Sequence, residues 1–364
     1  MNTIAYFDTE IEPEKGKILD IGCITDNQNT FHKNSVSEFV SFVKDIPFIC
    51  GHNVIKHDLK YIGSALATVG FRYSRIIDTL YLSPLLFPTK PYHALLKDDK
   101  ILPDELNNPL NDSIKANELF LDEVSAFNGL DDQLKSIYYS LLHSQKEFNA
   151  FFSYIKYSST VAELNEVIRQ RFENEICENI QLERLISEFP VELAYCLSFI
   201  DSLVKHRNQY SIPPPWVLKN YCEVERVMQL LRNRPCVTGC KFCNSKLNIH
   251  SALKNFFGFD GFRIYGDEPL QEKAVQAAVN GKSILAIFPT GGGKSITFQL
   301  PALMSAENTQ GLTIIISPLQ SLMKDQVDNL EKVGITRAVT INGLLDPIER
   351  ARSFQRIEEG LASI

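Results

Sequence analysis

The chain has 364 residues, 44% hydrophobic and 22% charged, with a formal net charge of −7. That is the make-up of ordinary globular protein with room for two or three domains, and the acidic balance excludes a surface coated in positive charge, though not a local basic groove for nucleic acid. No apolar run reaches the ~18 residues of a membrane span and "MNTIAYFDTE" lacks a signal-peptide pattern, so the expected setting is cytoplasmic, where clustered members of the 8 cysteines point to metal rather than disulfides.

Short apolar runs and amphipathic stretches alternate through the first 125 residues. "TIAYFDT", "KILDIGCI", "FICGH" and "RIIDT" read as strands; "SEFVSFVKD", "HDLKYIGSALATVG" and "SIKANELFLDEVSAF" read as helices. Strand signals then fade, and "DQLKSIYYSLLHSQKEFNAFFSYIKY" and "VAELNEVIRQRFENEICENIQLERLISEF" read as long helices. The prolines of "SIPPPWV" break the chain, because proline cannot continue a helix. After a cysteine-rich stretch the α/β alternation resumes. "PLQEKAVQAAVNG" is a helix with Pro269 near its first turn and Gly281 past its end. "SILAIFP" and "LTIIISP" have the continuous apolar character of buried parallel strands, and "SLMKDQVDNLEKVG" and "DPIERARSFQRIEEG" are helices. The expected organisation is an α/β multidomain chain: an α/β domain over 1–125, a helical segment over 126–212, a linker with a zinc-type cysteine site over 213–255, and a second α/β unit over 256–364.

"FDTE" places Asp8 and Glu10 two apart on a strand, so both carboxylates leave the same face and can share a hard divalent cation. With "CGHNVIKHDLKYI" and "NNPLNDSIKANEL" following in order, residues 1–125 resemble the DnaQ-like 3′→5′ exonucleases, which have an RNase H-like fold. The resemblance implies that Asp8, Glu10, Asp58 and Asp112 are catalytic ligands of Mg²⁺ or Mn²⁺. It places Asn107 where the histidine-bearing branch has its general base, and asparagine cannot exchange a proton near neutral pH. His93 and His57 are the candidate substitutes. Two readings stay open: a working nuclease, and an inert metal-bound module that grips a DNA end.

"RPCVTGCKFCNSKLNIH" supplies Cys236, Cys240 and Cys243, soft ligands that need a fourth to close a tetrahedral zinc site. Cys222 is the preferred fourth ligand and His250 the runner-up; unligated thiols and an iron–sulfur cluster are the alternatives. Arg232, Arg234, Lys241, Lys246 and Lys254 make the segment basic, as contact with a nucleic-acid backbone requires, or as a solvated linker also shows.

"PTGGGKS" lies between an expected strand and an expected helix. Thr290, Gly291, Gly292 and Gly293 let backbone N–H groups close around phosphate, Lys294 can reach the β- and γ-phosphates, and Ser295 can ligand Mg²⁺. "FFGFDGFR", Gln271, "FPTGGGKSITFQLPAL" and "SPLQSLMKDQVDNL" together resemble the start of the RecQ helicases, ATP-dependent 3′→5′ DNA helicases of repair and recombination. The resemblance implies a first RecA-like lobe over 256–364, ATP as nucleotide and DNA, including single strands and 3′ ends, as partner. It also implies that Phe259 stacks on adenine while Arg263 and Gln271 read its edge, across a spacer, "IYGDEPL", longer than usual. No apolar strand ending in Asp-Glu follows Ile316, and phosphoryl transfer needs that part with a second lobe. The expectation is therefore a piece of a longer helicase that holds nucleotide without turning it over.

Overall fold

A computed structural model describes residues 3–12, 14–95, 108–205, 211–289 and 291–364. It separates into two compact units, the first running through Phe87 and resuming over His93–Val167, the second comprising Pro88–Tyr92 and Ile168–Ile364.

The first unit is built on a five-stranded sheet in the order β3-β2-β1-β4-β5. Its strands are β1 (Ile4–Ile11), β2 (Ile18–Thr25), β3 (Thr30–Lys33), β4 (Phe48–Gly51) and β5 (Ile76–Asp78). β1–β2 and β2–β3 are antiparallel; β1–β4 and β4–β5 are parallel. α1 (Val36–Val43) and α2 (Leu59–Thr68) cover one face, burying Phe39, Val40, Ile62 and Leu66 against Ala5, Phe7, Ile21 and Ile49. α3 (Thr79–Leu86) and α4 (Pro109–Gly129) follow, then α5 (Asp132–Leu142) and α6 (Asn149–Ile155). α3 carries no amphipathic signal because Thr79 through Leu85 are all buried, so no polar face marks its period. The composition shift near residue 125 falls inside α4, and the helices beyond it stay with the sheet: Phe120 of α4 lies 5.2 Å from Tyr154 and Phe127 5.4 Å from Phe151, rings of α6.

α7 (Leu164–Arg171) carries the chain into the second unit, which continues with α8 (Leu182–Glu188), α9 (Pro190–Lys205), α10 (Pro215–Asn220), α11 (Glu223–Arg232) and α12 (Lys241–Lys246). The stretch expected as one helix over 161–189 is thus broken; turns fill 172–179, with Asn174 in the left-handed region at φ 61°. α13 (Ile249–Phe257), α14 (Leu270–Val279), α15 (Ile296–Thr309), α16 (Gln320–Lys332) and α17 (Pro347–Glu358) complete the unit. Leu253, Val275, Val279, Leu300 and Met304 pack α13, α14 and α15 together.

The expected strands "SILAIFP" and "LTIIISP" differ from the structure, where neither is a ladder strand and Leu285 and Ile316 are 89% and 91% exposed. A buried parallel strand needs hydrogen-bonded neighbours on its edges and helices over both faces. Among the described residues "LTIIISP" meets only the beginnings of such a sheet: Thr313 N donates to Ser363 O (2.9 Å) and Ser363 N to Arg337 O (2.8 Å).

Candidate functional site

Strand alternation puts Tyr6, Asp8 and Glu10 on one face of β1, and Ala5, Phe7 and Thr9 on the other. Phe7 lies 5.5 Å from Phe39 of α1, whereas Tyr6 lies 6.0 Å from Phe120 of α4. Both carboxylates therefore emerge on the α4 side. α4 starts where it does because Asn108 caps it, accepting from Leu110 N (3.0 Å) and Asn111 N (3.4 Å), with Pro109 in the first turn. That start leaves Asp112 in the first turn, and carboxylate oxygens of Asp8, Glu10 and Asp112 come within 4.8 Å of one another, each residue half-buried. Three hard oxygen donors at this spacing suit Mg²⁺ or Mn²⁺.

Asp58 stands outside that gathered group. It is buried at the start of α2 and accepts from the backbone N–H of Thr9 (3.0 Å) and from the Thr9 hydroxyl, on the opposite face of β1. It thereby pins the residue between Asp8 and Glu10. His57 Nδ1 is 3.6 Å from Asp58 Oδ2, whose hydrogen bond and charge raise the imidazole pKa. His93 is buried, with Nδ1 2.8 Å from Ser83 Oγ. Neither histidine belongs to the gathered carboxylates. Asn107 lies outside the described residues.

Two supporting residues were not legible in the sequence. Gly22 pairs with Asp8 across the β1–β2 ladder, and the first turn of α4 rests directly on it. Asp78 ends β5 and accepts from Asn53 N (2.8 Å), Ile55 N (2.9 Å) and Leu80 N (3.0 Å), so one carboxylate caps α3 and shapes the loop leading to Asp58. Burial pushes its pKa up to about 7, against the pull of those three donors. No motif marked either residue: Gly22 acts through the first turn of α4, and Asp78 through Asn53 and Ile55 besides its own helix start.

In the second unit the glycine loop precedes α15, with Gly291 and Gly293 in the left-handed region at φ 74° and 71°. Arg263 Nη1 donates to Gly291 O (2.7 Å) and Gln271 Nε2 to Gly293 O (2.8 Å), while Arg263 N donates to Gln271 Oε1 (2.8 Å). Arg263 and Gln271 are therefore brought together at the loop. The long spacer does not prevent this, because Tyr265 and Glu268 close a tight turn (Tyr265 N to Glu268 O 3.0 Å, Glu268 N to Tyr265 O 3.1 Å) that loops out the extra residues. Tyr265, which the sequence reading passed over, donates its hydroxyl to Gly292 O and sets its ring 5.1 Å from Phe288. Lys294 is exposed and Ser295 half-buried at the start of α15; Phe259 is exposed and stacked on Phe257 at 6.3 Å. Thr290 lies outside the described residues.

The cysteine segment departs from expectation in its fourth member. The thiol beside Cys236, Cys240 and Cys243 is Cys177, not Cys222. Cys222 is exposed at the start of α11, whose 10 residues form a rigid spacer of about 15 Å between it and the cysteine loop. His250 is also elsewhere, 2.9 Å from Glu272 Oε1. Arg232 is not part of a basic face: it is 4% exposed and donates to Asn308 O (2.6 Å), Glu175 O (2.5 Å) and Glu175 Oε2 (3.1 Å).

Residues 268–364 match the DEAD/DEAH box helicase family. The chain is similar to the ATP-dependent DNA helicase RecQ of Bacillus subtilis, 50% identical over 110 residues, which is 30% of this chain and 17% of that protein. It is 48% identical to the RecQ of Haemophilus influenzae over 85 residues, 23% of this chain and 12% of that protein. It is 40% identical to the ATP-dependent DNA helicase Q5 of Rattus norvegicus over 111 residues, 30% of this chain and 10% of that protein. The chain thus spans between 10% and 17% of the length of these relatives. The family match takes in Gln271, the glycine loop, Lys294, Ser295 and α14 to α17.

Proposed function

We propose that this chain carries the nucleotide-binding start of a RecQ-type, ATP-dependent DNA helicase lobe, joined to a DnaQ-like, metal-dependent module acting on DNA 3′ ends. The helicase reading rests on one observation above the others: Arg263 and Gln271 are hydrogen-bonded to each other and to the carbonyls of Gly291 and Gly293, next to Lys294 and Ser295. Groups that read a base edge and groups that hold phosphate are coupled in one network, which supports an adenine nucleotide as ligand. Ser295 offers the hydroxyl and Lys294 the ammonium that a Mg²⁺-bound triphosphate requires. Titration of the full chain with a fluorescent ATP analogue tests this: saturable binding that Lys294→Ala abolishes supports the reading, and binding indifferent to Lys294→Ala overturns it.

For the first unit, the nuclease reading is supported by the 3-2-1-4-5 strand order and by the gathering of Asp8, Glu10 and Asp112 on the α4 side of β1. The donor set suits a hard divalent cation, which when bound polarises a phosphodiester and lowers the pKa of water. The inert-module reading is favoured by Asn107 at the base position and by the gathered group being carboxylate only. One experiment separates them: the full chain, Asp8→Ala and Asn107→His are each incubated with 3′-labelled single strands and Mn²⁺. Loss of label with the parent and not with Asp8→Ala supports the nuclease; loss only with Asn107→His supports the end-binding module.

A further inference from the structure

The turns after α7 and the loop that runs into the first turn of α12, far apart in sequence, bring four thiols of the second unit to one point. The Sγ atoms of Cys177, Cys236, Cys240 and Cys243 all lie within 4.8 Å of one another, and Cys240 Sγ is 3.9 Å from Cys177 Sγ. All four are free thiols, so the spacing is not that of a disulfide. A tetrahedral ion with metal–sulfur bonds of about 2.3 Å sets its ligand sulfurs about 3.8 Å apart. The observed closeness fits a single ion. A four-iron cluster, with cysteines on the corners of a cube of iron and sulfide, spreads them further.

The surroundings are those of a closed site. Cys240 N donates to Cys236 Sγ (3.2 Å), Cys243 N to Cys240 Sγ (3.4 Å) and Asn179 Nδ2 to Cys236 Sγ (3.2 Å). Such donors offset the negative charge that four thiolates leave around a divalent ion. Gly239 takes φ 67° at the turn between Cys236 and Cys240, where a side chain is strained. Cys177 is held in place by its N–H, which donates to Leu231 O at the end of α11 (2.8 Å). Phe242 and Leu247 are the other buried members of this cluster, so the cysteines make up most of its apolar interior.

We propose that Cys177, Cys236, Cys240 and Cys243 hold one zinc ion in a closed structural site that ties the turns after α7 to the loop after α11 and the start of α12. Zinc displaces the four thiol protons to solvent, forms four zinc–sulfur bonds and leaves no open position for substrate. The ion supplies the cross-link that the small cluster cannot supply by apolar burial. The proposal is independent of the nucleotide and nuclease readings.

The test is elemental analysis of the full chain grown with zinc, beside Cys177→Ser and Cys222→Ser. Expected are one zinc per chain with iron at background, the same in Cys222→Ser, and zinc at background in Cys177→Ser. A second readout stands even if Cys177→Ser does not accumulate: the parent is titrated with a mercurial in the presence of a chromogenic zinc chelator. Exposed Cys222 should react first without releasing metal, after which zinc appears in step with modification of the four clustered thiols. Absence of zinc, iron with visible absorbance, zinc retained by Cys177→Ser, or release complete on modification of Cys222 alone each overturns the proposal.

Discussion

Gly22 faces Asp8 across the β1–β2 ladder, and a Cβ built on Gly22 would sit 2.0 Å from the backbone N of Leu110 in the first turn of α4. The absence of a side chain opposite one carboxylate is therefore what lets α4 deliver another, Asp112, to it. Gly22→Ala forces backbone against backbone and must push that turn away. The expected result is a loss of about 1–3 kcal/mol in stability, as overpacking costs elsewhere, and at least a roughly tenfold fall in Mn²⁺ affinity, read by denaturant melts and calorimetry. Gly63→Ala is the control: its Cβ meets nothing nearer than Leu59 Cβ at 3.5 Å, so metal affinity should be unchanged.

The pH dependence of stability should carry the signature of Asp78. Burial raises its folded pKa to about 7, above the unfolded value near 3.9. In that window the folded state binds more protons than the unfolded state, so this group's contribution is fully present below about pH 4 and is lost as pH rises through about 7. Asp78→Asn removes the titration. The stability difference between parent and variant should shrink as pH rises across the window, by up to ~4 kcal/mol; a difference independent of pH would count against the assignment.

Gln271 couples Arg263 to Gly293 through both ends of its amide. Gln271→Glu keeps the size but removes the donor to Gly293 O. Affinity for an adenine nucleotide should fall about tenfold, while inorganic triphosphate, which has no base to read, should bind nearly as before. Competition titrations against a fluorescent ATP analogue measure both.

Arg232 ties the end of α11 to the carbonyl of Asn308 at the end of α15 and to Glu175 in the turns after α7. Replacing a buried arginine strands its partners, at a cost of about 3–5 kcal/mol. Arg232→Met should lower the second unit's denaturant midpoint accordingly. Arg232→Lys should not rescue it, since a single ammonium lacks the fork by which Nε reaches Asn308 O while Nη1 reaches Glu175.

The short apolar runs in "TIAYFDT" and "KILDIGCI" were enough to place strands, because Ile4 to Phe7 and Ile21 to Ile24 are buried in a sheet with helices on both faces, where a continuous apolar run is what the packing requires. The helix read from Ser113 begins earlier, at Pro109 behind the Asn108 cap, and that earlier start is what puts Asp112 within the first turn of α4. α3 escaped notice because a helix buried on every side has no stripe. Cys177 escaped for the opposite reason: residues 161–189 look amphipathic throughout, and only the turns at 172–179 take the cysteine out of helical register.

By itself, then, the sequence determined what depends on neighbours along the chain: the Asp8–Glu10 pair on one strand face, the glycine loop before a helix start, the Cys236–Cys240–Cys243 spacing, and the kinship of its last hundred or so residues. The tertiary structure alone decided which distant groups complete them. Asp112 joins Asp8 because Gly22 clears the approach; Arg263 and Gln271 meet because Tyr265 and Glu268 fold the spacer away; Cys177 replaces Cys222 because α11 is a rigid rod. Local periodicity encodes the direction in which a side chain leaves its own element. What it meets there is set by packing against other elements, and that information is spread over residues with no fixed spacing between them.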